Sequence, residues 1–175
     1  PNKCIFNAQA YVAAHGGEVV LGWQISVWEG VLAEFIGHAV VRIEDNYRCV
    51  TPCKYGDQRL LFLSDSSLTF DFTDATARLP SRRVALAERT EIRRMVEIEN
   101  AINALKTLYP VTSGNVVLAY PDAVKLDALN REKSGLVVKI LLATTHHNAP
   151  CVCGSGRKFR KCCKAELDYA ARQSL

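Results

Sequence analysis

A chain of 175 residues, 49% of them hydrophobic, with a formal net charge of +4, has the material for one domain plus a small appendage and enough apolar side chains to bury a core. No apolar run approaches the ~20 residues of a membrane span, and Asn2, Lys3, Asn7 and Gln9 break up the apolar N-terminus, so it does not read as a signal peptide. A globular, soluble chain in a reducing, cytoplasmic setting is expected, and the net charge is too small to demand a nucleic-acid partner.

Residues 4–15 are rich in alanine and place Ile5, Ala8, Tyr11 and Val12 at helical spacing, with Gly16-Gly17 as the stop. Cys4 falls at the N-terminus of that helix, where free backbone N–H groups and the helix dipole favour a thiolate. The period then changes to two. Leu21, Trp23, Ile25 and Val27 alternate with Gly22, Gln24, Ser26 and Trp28, which predicts a half-buried strand. Residues 33–43 predict a second strand, Glu44-Asp45-Asn46 a turn, 47–51 a third strand ended by Pro52, and 58–63 a fourth. The result is an antiparallel meander with the first helix on one face.

Residues 64–83 are polar and broken by Ser64-Asp65-Ser66-Ser67 and Pro80, which predicts loop with a short strand near 68–72. From 91 to 109, Ile92, Met95, Ile98, Ile102, Leu105 and Leu108 mark a helix that Pro110 stops. Residues 116–120 fit a short strand or a buried turn. Pro121-Asp122 opens a further helix to 144, although Leu136 to Leu142 is β-branched enough to fit a strand, a choice periodicity alone does not settle. Residues 146–149 form a linker, and 165–172 predict a short terminal helix.

Four of the seven cysteines lie in thirteen residues, as Cys151-Val152-Cys153, eight intervening residues, then Cys162-Cys163. Thiolates at this spacing can converge on one tetrahedral ion, and Gly154 and Gly156 allow the tight backbone that requires. Two local disulfides are the competing reading, but adjacent Cys162 and Cys163 are awkward partners for such near neighbours. Cu(I) and iron–sulfur clusters also take thiolates, and His146 and His147 could stand in as ligands; Zn²⁺ is the ion the set favours. Arg157, Lys158, Arg160, Lys161 and Lys164 surround the cysteines, with no acid from 148 to 163. Against a metal centre of about −2 they leave a local excess of about +3, a basic knob suited to an acidic protein surface, anionic lipid or nucleic acid. Plain solubilising charge accounts for it equally well.

Pro150, Cys151, Cys153, Gly154-Ser155-Gly156, Lys158, Phe159, Lys161, Cys162 and Cys163 together resemble the SEC-C zinc-binding motif, found at the end of the bacterial protein-translocation motor and in many small bacterial proteins. The resemblance implies bound zinc and a contact surface for another macromolecule, with Arg157, Lys158, Arg160 and Lys161 as the partner-binding residues. It implies no catalysis.

A second resemblance concerns the first fifty residues. A cysteine at a helix N-terminus followed by a sheet bearing a histidine is the element order of papain-like and transglutaminase-like folds, here Cys4 and then His38 in Gly37-His38-Ala39-Val40-Val41. That resemblance implies Cys4 as nucleophile and His38 as its base, acting on peptide, amide or thioester bonds. Cys49 stands where the family places the acid that orients the histidine. Independently, a hairpin reversing between Asp45 and Asn46 opposes His38 to Cys53, Val40 to Thr51 and Arg42 to Cys49, and puts His38, Cys49, Thr51 and Cys53 on one face as a second thiol–histidine cluster, catalytic or metal-binding. A buried, inert arrangement of the same residues fits their types equally well.

The expected architecture is α+β: a body over 1–145, divisible into a papain-like core over 1–75 and a helical part over 80–145, then a Cys4-type zinc finger with a terminal helix over 146–175. Two functions follow, a thiol hydrolase or transferase carrying a zinc finger, and a non-catalytic adaptor or inhibitor binding through that finger.

Overall fold

The computed structural model describes residues 3–52, 59–74, 77–112 and 115–173. Its centre is a long hairpin of β1 (Glu18–Trp28) and β2 (Leu32–Ile43), paired without interruption from Glu18↔Arg42 to Trp28↔Leu32. Gly30, at φ +67°, turns the chain between them. β3 (Asn46–Arg48) continues the meander on β2, and β4 (Leu61–Ser64) returns to the other side of β1, pairing Gly22 with Ser64 and Ile25 with Leu61. β5 (Ser81–Ala85) joins the same edge of β2 as β3 but at the opposite end, from Leu32↔Ala85 to Ile36↔Ser81. Between the two, the Gly37 N–H reaches the Pro80 carbonyl at 2.7 Å; a Cβ at Gly37 would collide with Leu79 and that carbonyl.

Strand alternation divides the sheet into two faces with separate cores. On the first, α1 (Lys3–His15) buries Cys4, Ile5 and Ala8 against Ala39 and Val41, with Val19, Leu21, Ile43 and Val50 around them. On the second, Val31 with Trp28 and Leu32 meets α2 (Thr90–Thr107) through Ile92 and Met95, and α3 (Tyr120–Thr144) through Ile140. Each fully buried aliphatic side chain contributes roughly 1.5–3 kcal/mol through the water it sheds. α2 and α3 are also tied by Arg94, which reaches both carboxylate oxygens of Glu132 at 2.6 and 3.0 Å, and by Lys133 to Glu99 at 3.1 Å.

The α+β class and the order helix, meander, helices, finger are as expected; two local readings change and one left open is decided for the helix. The tail of the presumed loop holds β5. Its residues, Ser81-Arg82-Arg83-Val84-Ala85, lack an apolar alternation, and support comes from elsewhere: Asn100 on α2 accepts from the Arg83 N–H at 3.1 Å and donates to the Arg83 carbonyl at 3.2 Å, while the Arg83 guanidinium pairs with Glu34 and Glu99. Residues 68–72 form no strand, because Asp65 and Asp71 each cap a turn, taking the N–H of Ser67 and of Thr73, while Phe70 and Phe72 pack edge-on to each other and to Phe6 of α1. Residues 136–142 are helical, since Leu136, Val137 and Ile140 fall on the stripe of α3 that faces α2. The ambiguous stretch after Pro110 contains a short ribbon of β6 (Val111–Thr112) and β7 (Asn115–Val116). The remaining helix, α4 (Lys164–Gln173), lies beside α3, with a cavity of about 370 Å³ between Ala170 and the Ser134, Gly135 and Val138 side of α3. Among the described residues no helix is long and apolar enough to cross a membrane.

Candidate metal centre

The finger is built by backbone hydrogen bonds over a few residues. The Cys151 N–H bonds the Arg157 carbonyl at 2.7 Å and the Phe159 N–H bonds the Ala149 carbonyl at 2.9 Å, flanking an antiparallel bridge between Pro150 and Lys158. The turn at the tip closes through the Gly154 N–H to the Cys151 carbonyl at 3.0 Å, with Gly154 at φ +77° and Gly156 at +71°. Nothing crowds either glycine, so positive φ is the reason for both. A single 3-10 turn, Phe159–Lys161, then lifts the chain back over the ribbon, and Phe159, fully buried, is its apolar anchor. Cys162 and Cys163 follow directly, and α4 starts at Lys164, its first turn bonded to the Cys163 carbonyl through the Leu167 N–H at 2.9 Å.

These elements bring the Sγ atoms of Cys151, Cys153, Cys162 and Cys163 within 4.8 Å of one another, with Cys153 to Cys162 at 3.6 Å and Cys162 to Cys163 at 3.9 Å. Sulfurs at the corners of a tetrahedron around an ion ~2.3 Å away stand about 3.8 Å apart, so the spacing is that of a metal-binding set. The local electrostatics carry the same message. Cys153 is drawn down to about 6 by the hydroxyl and N–H of Ser155, and Cys163 is pushed up to about 12 by the thiols of Cys151 and Cys153. Thiolates packed this tightly cannot all ionise against one another; a divalent cation in their midst removes the conflict.

Two residues complete the centre: Ser155, to which motif spacing gave no task, and Arg157, which the sequence placed among the partner-binding cations. Ser155 places its hydroxyl 3.3 Å from Cys162 Sγ, and Arg157 donates from Nη2 to the same sulfur at 3.0 Å. Arg157 thus faces inward and offsets thiolate charge, as donors behind metal ligands do. Lys164 is also engaged, with Asp168 at 2.6 Å. Lys158, Arg160 and Lys161, exposed like Arg157, make no bond to the thiols. His146 and His147 are exposed and act through the linker: the Asn148 N–H bonds His146 Nδ1, and the Arg160 N–H bonds the His147 carbonyl.

The other pair of residues singled out in the sequence is not brought together. Cys4 packs against Ala39 and Val41, on the α1 face of β2; His38, one residue from Ala39, points to the opposite face. There its Nε2 lies 3.2 Å from Cys49 Sγ. The β2–β3 turn falls at Glu44–Asp45, and Arg42 opposes Tyr47, a shift of two from the anticipated register that keeps His38 and Cys49 on one face; Thr51 lies beyond β3, its carbonyl 3.7 Å from Cys49 Sγ. Cys53 lies outside the described residues. Trp23 and Trp28 pack on the sheet, Trp23 donating to Asp65 at 2.8 Å, and His15 stacks on Tyr11 at the end of α1.

Residues 148–165 match the family model of the SEC-C motif, over the segment that holds the four cysteines. No curated protein and no solved structure matches the chain.

Proposed function

We propose that the four thiolates hold Zn²⁺ and that the finger is an appended module, beginning after residue 145, through which a non-catalytic α+β body docks on an acidic surface of another protein. The observation that carries this reading is a difference among four exposed cations: Arg157 is tied by a hydrogen bond to the Cys162 sulfur, while Lys158, Arg160 and Lys161 have no such tie and leave their charge to solvent beside the site. A zinc ion with four thiolates is coordinatively closed, so it shapes the surface and offers no open position for a substrate. Zinc is favoured over a copper or iron–sulfur occupant because one tetrahedral ion accounts for all four thiols and d¹⁰ zinc adds no redox chemistry to a docking element.

The hydrolase reading loses its support where Cys4 and His38 occupy opposite faces of β2, since a base must stand within hydrogen-bond reach of the nucleophile it deprotonates. The adaptor reading is tested by crosslinking the full-length, zinc-loaded chain in cells and comparing it with Lys158→Gln/Arg160→Gln/Lys161→Gln. A discrete protein adduct that the triple variant loses, with its zinc content unchanged, supports it. Undiminished adducts, or binding only to an oligonucleotide or to anionic vesicles in parallel assays, contradict it.

A further inference from the structure

His38 is 7% exposed, the only polar side chain among the described residues buried to that degree. Burial holds its imidazole below the ordinary histidine range, so the ring is neutral at pH 7 and one nitrogen carries a free lone pair. The 3.2 Å contact to Cys49 Sγ gives Nε2 a thiol to bond with. Cys49 itself is half-buried, beyond the last residue of β3, with the Thr51 carbonyl 3.7 Å from its sulfur. Cys49 is thus partly open to solvent while its histidine is buried.

The surroundings make the pair a built feature of this face. Directly across from His38, β1 presents Gly22, where a Cβ would collide with the Phe62 ring and the Leu63 carbonyl. Phe62 leans in from β4 and meets Tyr47 from β3 at 5.6 Å between ring centroids. Those strands form opposite edges of the sheet, so the two rings span the face on which His38 sits. Val40, the next residue on that face, is 1% exposed. The imidazole thus stands beside an aromatic cover, and the thiol stands at its margin.

We propose that Cys49, with His38 as its general base, is a reactive thiol site that undergoes exchange with small disulfides of the glutathione class. The thiol proton passes to His38 Nε2 as Sγ attacks one sulfur of the disulfide. The S–S bond of that disulfide breaks, a mixed disulfide forms on Cys49, and the departing thiolate takes up the proton; no net oxidation occurs. The substrate class follows from what the site holds and lacks. Acyl transfer requires preorganised donors for a developing oxyanion, and a third group to orient the base. Among the described residues no carboxylate reaches the other ring nitrogen of His38. Disulfide exchange develops its charge on the leaving sulfur and needs only the deprotonated nucleophile and access. The site is separate from the finger, whose four thiols face one another.

The test exposes the full-length, zinc-loaded chain, in a Cys53→Ser background that leaves Cys49 the single thiol between Arg48 and Lys54, to oxidised glutathione at pH 7, with adducts mapped by peptide mass spectrometry. Cys49 is expected to be modified about tenfold faster than Cys4, and about tenfold faster than the same Cys49 in the chain unfolded in urea. His38→Gln should erase that advantage. The proposal is overturned if Cys49 reacts no faster in the folded than in the unfolded chain, a comparison that needs no histidine variant. It is equally overturned if a His38→Gln protein with a native circular-dichroism spectrum keeps the full rate.

Discussion

The finger and the sheet body each place sulfur beside nitrogen, and they do so by opposite means. In the finger, four thiols, the Ser155 hydroxyl and the Arg157 guanidinium come together across thirteen residues through short-range backbone hydrogen bonds and one buried phenylalanine. In the body, a single thiol meets a single imidazole because a hairpin register and two separate cores fix which way each strand residue points. The finger has little apolar matter and, on the proposed reading, depends on the ion. The body has Val31, Val40, Val41, Ile92, Ile98 and Ile140 wholly or almost wholly out of water and depends on packing. A site whose geometry is local in sequence can be read from spacing; one whose geometry rests on long-range register cannot.

The contrast breaks most sharply at the ligands. Replacing Cys162 and Cys163 together by serine should abolish stoichiometric zinc, measured by atomic absorption on the purified chain, and leave the melting of the body within a few degrees of the parent; retention of about one zinc per chain would show that other donors hold it. Phe159→Ala removes the finger's anchor at a cost of about 3–5 kcal/mol, seen as faster zinc loss to a chromogenic chelator. Ile140→Ala is its mirror in the body, about 2–5 kcal/mol lost from the urea unfolding of the α2–α3 layer with zinc retention unchanged. Smaller still, Asn100→Ala should cost about 1–3 kcal/mol, because both backbone groups of Arg83 lose their side-chain partner; faster amide exchange along β5, with β1 unaffected, is the readout.

The smallest effect is at Glu132. Hydrogen bonds from Arg94 hold its carboxyl below the usual carboxylate range, so its contribution is present above that range and fades as pH falls through the lowered value. Glu132→Gln should lower the urea midpoint slightly at pH 7, and the difference should shrink as pH falls below the usual carboxylate range. Both partners are well exposed, and water screens the pair. A difference that persisted in acid would place the effect elsewhere.

Most of the secondary structure was legible because hydrophobic period and stop signals act locally. Gly16-Gly17, Pro110 and the Ile92–Met95–Ile98–Ile102 stripe mark helix bounds correctly to within two residues. β5 was not legible, because its stability comes from Asn100, Glu34 and Glu99, which lie 15 or more residues away in the chain. The clustering of the four thiols could be anticipated from spacing alone, whereas the bond from Arg157 to one of them could not, since nothing in a run of basic residues distinguishes the one that meets a sulfur. In the body, the turn at Glu44–Asp45 put Tyr47 opposite Arg42, and parity kept Cys49 on the histidine's face. Element order suggested Cys4 as the partner of His38; the alternation of Ala39 and His38 separates them.

Amide hydrogen exchange on the full-length chain, before and after zinc is stripped by a chelator, tests the division between finger and body most directly. The account predicts that protection collapses from about residue 146 onward and in α4, while α2, α3 and the β1–β2 hairpin keep theirs. Loss of protection at Ile92, Met95 and Val41 on the same timescale would contradict it, and would make the metal the keystone of the whole fold.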